Sequence, residues 1–476
     1  MSGGIGFPQR DQWQNLQDII DTVPNIVDYL YNNPPGPYLT AFTVGISPWV
    51  PPEFTNWFEE QLSWSTGVAL FDLSHHMTEL FLKGPGSLEL IARLAVNNVT
   101  RFVGRRSAQL VFCNENGFVI GDVVAYLLDD STIELVGFES AINWVQFHAE
   151  QSGIEFTRDD LTPLNPRQAR KRYRFQLEGP QSSRMLEKLI GQAVKVGFFE
   201  AQDMKIGDHD VLVLGHGMAG RGFELSGPYD EYHEVLSMLL EVGREFGLVR
   251  VGRRAYRTTP VVRGWFPSPL PAVYTGEGMR AYRRWLPTSS YEAASSLGGS
   301  FYSPNVEDYY MTPWDLGYGK LIHWEHDFMG RDALRELSRR PQRRLVTLVW
   351  HPDDVVRVFR SLFEVWPRYK IIELPLLIYS RWHYDTVLDK SGKGIGISSY
   401  VAYVANYRAV LSLASIDADF AVPGSEVIVV WGEPHQGSRK PNVEAHAQIL
   451  VRATVAPAPY WKQSLDVGSP GKGAEK

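Results

Sequence analysis

Glu224 and Tyr256 are the two side chains whose settings suit chemistry on a small flat molecule. Glu224 stands inside an apolar, strand-like run, Gly222-Phe223-Glu224-Leu225, and Tyr256 follows the turn Gly252-Arg253-Arg254-Ala255. A carboxylate accepts paired hydrogen bonds from a planar donor edge with charge-assisted strength. A phenol, with an ordinary pKa of about 10, exchanges a proton with another phenol at little cost. The adjacent pair His75-His76 is a further candidate. Neighbouring histidines point in different directions and no third ligand stands at metal spacing. Hydrogen bonding to a ligand or to backbone carbonyls is therefore the reading, and no metal is expected.

The elements that must hold these groups read as mixed α and β. Trp13, Leu16, Ile19 and Ile20 recur at helical spacing, and the pattern breaks at Asn32-Asn33-Pro34-Pro35-Gly36-Pro37, where proline fixes its own backbone and restricts its predecessor. Tyr38, Phe42 and Trp49 follow on a loop suited to a pocket rim. Strand-like runs at Glu79 to Lys83, Ser107 to Cys113, Phe118 to Leu127 and Ile133 to Gly137 alternate with helices at Ser87 to Leu94 and Ala141 to Ser152. Asn114-Glu115-Asn116-Gly117 is a hairpin signal between two of the strands.

A second copy of this order begins at Tyr173-Arg174-Phe175-Gln176, after the basic run Arg167 to Arg172, which reads as a solvated connection. It continues through Val211 to Leu214, the Glu224 strand and a helix from Glu231 to Phe246. The fold class is thus α+β, with two ferredoxin-like α/β sandwich halves facing one cleft. Runs such as Arg344 to Trp350, Leu411 to Ile416 and Ser425 to Trp431 predict a third, β-barrel-like domain. The expected units are an N-terminal helix and rim loop (1–52), the first half (53–166), the second half (167–341), the barrel-like domain (342–462) and a disordered tail (463–476).

Composition excludes several function classes. A net charge of -7 and the lack of a lysine- or arginine-rich arm leave no electrostatic footprint for nucleic acid. No apolar run approaches the roughly 20 residues of a membrane span, and no signal-peptide pattern is present, so a cytoplasmic protein is expected, as monomer or homodimer. The single cysteine, Cys113, excludes an intrachain disulfide. The 14 Trp, 22 Tyr and 23 Phe supply material for flat pockets, although most aromatics simply fill cores.

Taken in order, the motifs carry a family resemblance. Leu70-Phe71-Asp72 with His75-His76-Met77, Val119-Ile120-Gly121-Asp122, His216-Gly217-Met218-Ala219-Gly220, Glu224 before Gly227-Pro228-Tyr229, and Tyr256 resemble the aminomethyltransferase superfamily typified by the glycine-cleavage T-protein. Trp285-Leu286-Pro287, Asn305-Val306-Glu307-Asp308-Tyr309-Tyr310, Gly317-Tyr318-Gly319 and His326-Asp327-Phe328-Met329-Gly330-Arg331 sharpen it toward the tetrahydrofolate-dependent aryl O-demethylases that act on vanillate, syringate and 3-O-methylgallate. The resemblance covers nearly all of the chain beyond about residue 37.

The resemblance implies a cloverleaf of three domains around a folate channel, with transfer of a methyl group from a methoxyarene to N5 of tetrahydrofolate. It implies Tyr256 as the catalytic acid and Glu224 as the clamp on the pterin. Gln109, Val136, Gln176, Phe198 and Trp265 correspond to positions around the cofactor; cross-strand pairing is the plainer reading of the two glutamines. Leu73, His76, Phe138, Tyr38 and Arg263 fall around the substrate. Relatives that take vanillate carry glutamine and arginine where this chain has Leu73 and Phe138, which predicts a less polar methoxyarene unless Arg263 captures a carboxylate from another side. Transfer from an N-methyl or S-methyl donor, or folate binding without catalysis, are the alternatives.

Overall fold

The computed structural model describes residues 12–33, 50–160, 170–217, 222–267, 269–376, 379–437, 440 and 443–460. Tyr38, Phe42 and Trp49 lie outside the described residues, as do Met218, Ala219, Gly220, the start of the basic run and the C-terminal tail.

Eleven strands build two sheets. The first in the chain is β1 (Val68–Asp72). Next, β2 (Thr78–Lys83), β3 (Ser107–Cys113), β4 (Val119–Asp129), β5 (Thr132–Gly137) and β6 (Glu155–Asp159) form an antiparallel sheet in the order β3-β4-β5-β2-β6. β7 (Arg172–Glu178), β8 (Ala201–Ile206), β9 (His209–Gly215), β10 (Gly222–Pro228) and β11 (Leu248–Val251) join β1 in a second sheet, β11-β1-β7-β10-β9-β8. With β1 set aside the two orders coincide: β3, β4, β5, β2 and β6 answer to β8, β9, β10, β7 and β11. Each unit also has a helix after its first strand and another before its last, Gly86–Leu94 and Glu139–Gln151 in one, Ser182–Ile190 and Tyr232–Gly243 in the other.

Two placements differ from the sequence reading. β1 belongs to the second sheet, antiparallel to β7 and parallel to β11. Its sequence explains why: Val68 and Leu70 join one core cluster while Ala69 and Phe71 join another, so both faces need cover that an interior position provides. β6 escapes a reading from pattern because Glu-Phe-Thr-Arg-Asp is a polar edge strand. The Asn114 turn forms as expected, closed by Gly117 N–H donating to the Asn114 carbonyl at 3.0 Å, with Gly117 at a φ of +80°.

Strand alternation sorts the two faces of each sheet. In β7, Tyr173, Phe175 and Leu177 enter the core beneath the helices, and in β10 so do Phe223 and Leu225. Arg174, Gln176 and Glu224 therefore point to the opposite face, where Glu224 and Gln176 are cross-strand partners. That face meets the corresponding face of the first sheet, where Tyr126 and Val136 pack against Leu212 and Leu214 of the second. Helices cover the outsides, and the mixed polar and apolar inner faces enclose the space between.

Past the two units, six strands close into a barrel: Arg344–Trp350, Asp385–Leu388, Gly394–Val404, Ala409–Ile416, Glu426–Trp431 and Ile449–Pro457. Trp350, Val387, Ile395 and Trp431 are among its buried centre. Among the described residues no helix is long and apolar enough to cross a membrane.

Candidate active site

Tyr256 ends a short helix, Arg253–Tyr256, whose start is fixed by close packing against the segment before β1. Gly252 N–H donates to Glu60 Oε2 at 2.8 Å, and the next two amides donate to the Pro51 and Pro52 carbonyls at 3.1 and 3.0 Å. A side chain at 252 would place its Cβ 2.4 Å from the Pro52 carbonyl oxygen, so only glycine permits this approach. The Tyr256 ring is held edge-on by Phe71 at 5.6 Å and by His76 at 4.9 Å. Its hydroxyl bonds to no described residue. Three cavities meet at this point, and Tyr256 and His76 line all of them.

The largest share of the predicted residues lines the cavity between the sheets, about 720 Å³ with its mouth. Glu224, Gln109, Val136, Trp265, Leu73, His76, Phe138, Arg263 and Tyr256 all face it. Glu224 and Tyr256 thus serve one chamber. Glu224 accepts from Tyr126 Oη at 2.5 Å and from Arg174 Nη1 at 2.8 Å, both through Oε1, and Oε2 takes no bond among the described residues. Arg174 is fully buried and also donates to Glu79 Oε1 at 2.9 Å and to Glu134, so one guanidinium ties three carboxylates across the two sheets. Arg170, at the end of the run read as a solvated connection, is likewise buried, against Glu79 and Asp159 at 3.3 Å each. A buried carboxylate cluster requires cations beside it, and that requirement pulls the end of the linker into the interior.

Across the chamber Asp122 has no ion-pair partner among the described residues. Its Oδ2 accepts from Gln109 Nε2 at 2.8 Å and Trp265 Nε1 at 3.2 Å, and Gln109 also donates to Tyr318 Oη at 2.9 Å. Burial raises the Asp122 pKa; the bonds from Gln109, Trp265 and Tyr318 and the charge of Arg263 only partly offset it. Burial likewise lifts the Tyr256 phenol above its ordinary value, with Tyr400 adding and Arg263 opposing. The nearly balanced proton exchange expected for Tyr256 with a phenol in water therefore changes: Tyr256 stays protonated, as a neutral hydrogen-bond donor. His76 moves the other way, down to about 3, through burial and the charges of Arg257 and Arg381, and so stays a neutral imidazole.

The remaining predicted residues stand elsewhere. Gln176 is wholly buried, donating to the His216 carbonyl at 2.6 Å, behind the chamber wall rather than on it. Phe198 is 63% exposed, and its neighbour Phe199 faces the cavity instead. His75 turns away from His76 and meets Tyr229 Oη at 2.9 Å. The sequence reading assigned no role to Asp122, Tyr126, Arg174 or His216, all of which line the chamber. Arg174 had a signal: Arg-Tyr-Arg-Phe-Gln-Leu-Glu puts a polar residue at every second place of a strand whose other face is core. Arg257 and Arg381 line the neighbouring cavity toward the barrel.

The chain is similar to several known proteins. The GCVT N-terminal domain family matches residues 38–263. Syringate O-demethylase of a Sphingobium species is 40% identical over 94% of this chain and 96% of its own length. Sesamin methylene transferase of a Sinomonas species is 28% identical over 90% of this chain and 95% of its own. The crystal structure of the glycine cleavage system aminomethyltransferase T from Bartonella henselae superposes with a TM-score of 0.56 at 16% identity, covering 86% of this chain and 91% of that one, a likeness of fold. The chain belongs to the glycine-cleavage aminomethyltransferase superfamily, on the branch that holds the O-demethylases.

Proposed function

We propose that this protein is a tetrahydrofolate-dependent O-demethylase, moving the methyl group of a methoxylated arene to N5 of tetrahydrofolate and releasing a phenol. The observation that carries the reading is that Glu224 and Tyr256 open on one chamber, with Tyr256 also facing the adjoining cavities. The overall likeness to syringate O-demethylase supports methyl transfer from an aryl ether.

The chamber suits a reduced pterin. Glu224 Oε2 has no bond among the described residues, and a carboxylate there takes the paired N–H edge of such a ring. His216 Nε2 is buried without a partner among the described residues and lines the same wall. Trp265, Phe199 and Tyr126 supply flat faces. Bound folate supplies the nucleophilic nitrogen that accepts the methyl group. Gln109 fixes Asp122 on the opposite wall, and Val136 adds an apolar surface to the chamber.

Tyr256 donates a hydrogen bond to the departing oxygen. Its raised pKa makes it a weaker acid than a phenol in water, but the departing phenol is desolvated in the same enclosure, so the two acidities move together. Neutral His76, edge-on to Tyr256, holds that ring without competing for its proton across ordinary pH. Tyr256→Phe is expected to lower kcat about 10²- to 10⁴-fold at saturating folate, the usual worth of a positioned acid, while leaving folate affinity nearly unchanged. Full turnover by that variant would remove Tyr256 from the mechanism.

The direct test incubates the protein with tetrahydrofolate and a mixed methoxyarene panel and looks for 5-methyltetrahydrofolate with the matching phenol. Absence of both overturns the proposal. The likeness to sesamin methylene transferase favours one second reading, transfer of a methylene unit, which would yield methylenetetrahydrofolate instead.

A further inference from the structure

Tyr400 stands in a backbone conformation that its residue type rarely adopts. It lies in the barrel strand Gly394–Val404 at a φ of +58°, in the left-handed region, where a bulky L side chain is an outlier. Other non-glycine residues there have ordinary reasons: Arg106 ends a helix, and Arg408 sits in the turn between two barrel strands. Tyr400 has neither role.

Around Tyr400 the pairing with the next strand, Ala409–Ile416, loses its step. Ser399 is opposite Leu413 and Ala402 is opposite Leu411, so the strand that carries Tyr400 holds one residue more than its partner over that span. A bulge of this kind re-aims a side chain and is common beside active sites. Here it brings Tyr400 to the wall of the cavity on the barrel side of Tyr256, about 770 Å³ with its mouth, which Tyr256, His76 and Phe138 also line. The chamber between the sheets shows a parallel case, since Phe199 lines it at a φ of +52°. Such strain persists only where the surroundings impose it, and it gathers at sites of function.

The Tyr400 hydroxyl is set up as a donor. Arg257 gives Tyr400 a side-chain hydrogen bond; a guanidinium can only donate, so the phenol oxygen accepts and its own O–H is left for another partner. Burial raises the Tyr400 pKa, with Arg257 and Arg381 opposing, so the phenol is protonated at neutral pH. Tyr400 also raises the pKa of Tyr256, second only to burial, as expected of two hydroxyls that share one enclosure.

Demethylation places a demand on that enclosure. The ether carbon–oxygen bond breaks with its electron pair passing to oxygen as the methyl carbon bonds to N5, and the proton displaced from N5 equals the one that the departing oxygen gains. Tyr256, made a weaker acid by burial, parts with its proton late, so negative charge gathers on the oxygen first. Fixed hydrogen-bond donors in a water-poor site lower the barrier by stabilising such charge.

We propose that Tyr400 is a second catalytic residue, donating a hydrogen bond to the departing oxygen beside Tyr256, so that the barrel domain completes the active site. This deepens the demethylase reading and rests on it.

Tyr400→Phe keeps the ring and removes only the hydroxyl, and two measurements on the full chain read the effect. The first is turnover of methoxyarenes graded in the acidity of the departing phenol. The loss in kcat is expected to be about 100-fold for the least acidic phenol and to shrink as acidity rises, with tetrahydrofolate affinity unchanged. An equal loss across the series marks a packing effect and overturns the proposal, as does no loss at all. The second needs no turnover: absorbance titration with 4-nitrophenol, whose colour separates phenolate from phenol. Tyr400→Phe should weaken phenolate binding at least about tenfold and hold phenol binding within about twofold. Equal weakening of the two forms, or none, overturns the proposal. Failure of the demethylase reading shows separately, as loss of phenolate binding in Tyr400→Phe with no 5-methyltetrahydrofolate formed by the native protein from any methoxyarene.

Discussion

Glu224 and Asp122 face the same chamber from opposite sheets and are held by opposite means. Glu224 is tied to a cation, Arg174, which also pairs with Glu79 and Glu134. Asp122 is held by neutral donors, the amide of Gln109 and the indole of Trp265, with the phenol of Tyr318 beside them. The first arrangement fixes a carboxylate and welds two sheets. The second leaves a carboxylate whose protonated form is favoured by its surroundings. One wall therefore sets its carboxylate against a cation, and the other sets its carboxylate where the protonated form is favoured.

The strongest way to break this contrast is to remove the cation. Arg174→Met leaves Glu79, Glu134 and Glu224 facing one another in the interior, and losing one partner of a buried ion pair costs about 3–5 kcal/mol. Chemical denaturation should show a loss of that order at neutral pH. A loss below about 1 kcal/mol would mean the network is hydrated and the walls differ less than their geometry implies.

Glu224→Gln sharpens the contrast at smaller cost. The amide oxygen can still accept from Tyr126 and Arg174, but the atom replacing Oε2 becomes a donor aimed at the chamber. A donor facing the N–H edge of a pterin should weaken tetrahydrofolate binding about 100-fold, near 2.7 kcal/mol, with stability falling less. Fluorescence titration against folate checks this; unchanged affinity would place the pterin elsewhere.

The two walls were not equally legible in the sequence. Glu224 shows itself as a lone carboxylate in an apolar strand, and strand alternation then gives its facing direction without any tertiary knowledge. Asp122 lacks that contrast: Gln109 faces it from the next strand, but Trp265 and Tyr318 come from distant parts of the chain. The repeat of the two units was readable from their order of helices and strands, whereas the insertion of β1 into the second sheet depends on which edge offers two covered faces. Gln176 illustrates the limit of correspondence by position: it shares a sheet face with Arg174, yet His216 covers it. Arg381 carries no local signal, since its meaning arises only where the barrel meets Phe138.

Asp122→Asn is the mildest change and reads the contrast through pH. Asn keeps an oxygen for the Gln109 and Trp265 donors and removes a charge that burial disfavours. Because the folded-state pKa of Asp122 is raised, the native fold binds this proton more tightly than the unfolded chain does. Its stability therefore declines as pH rises from the unfolded value of about 4 and levels off above the raised value. The Asn variant lacks that decline, so its stability relative to the native protein should match near pH 4 and increase toward neutral pH, by an amount smaller than either change above. Melting both proteins across that range decides the matter. A native protein that instead gains on the variant with rising pH would mean that the three donors and Arg263 outweigh burial at Asp122.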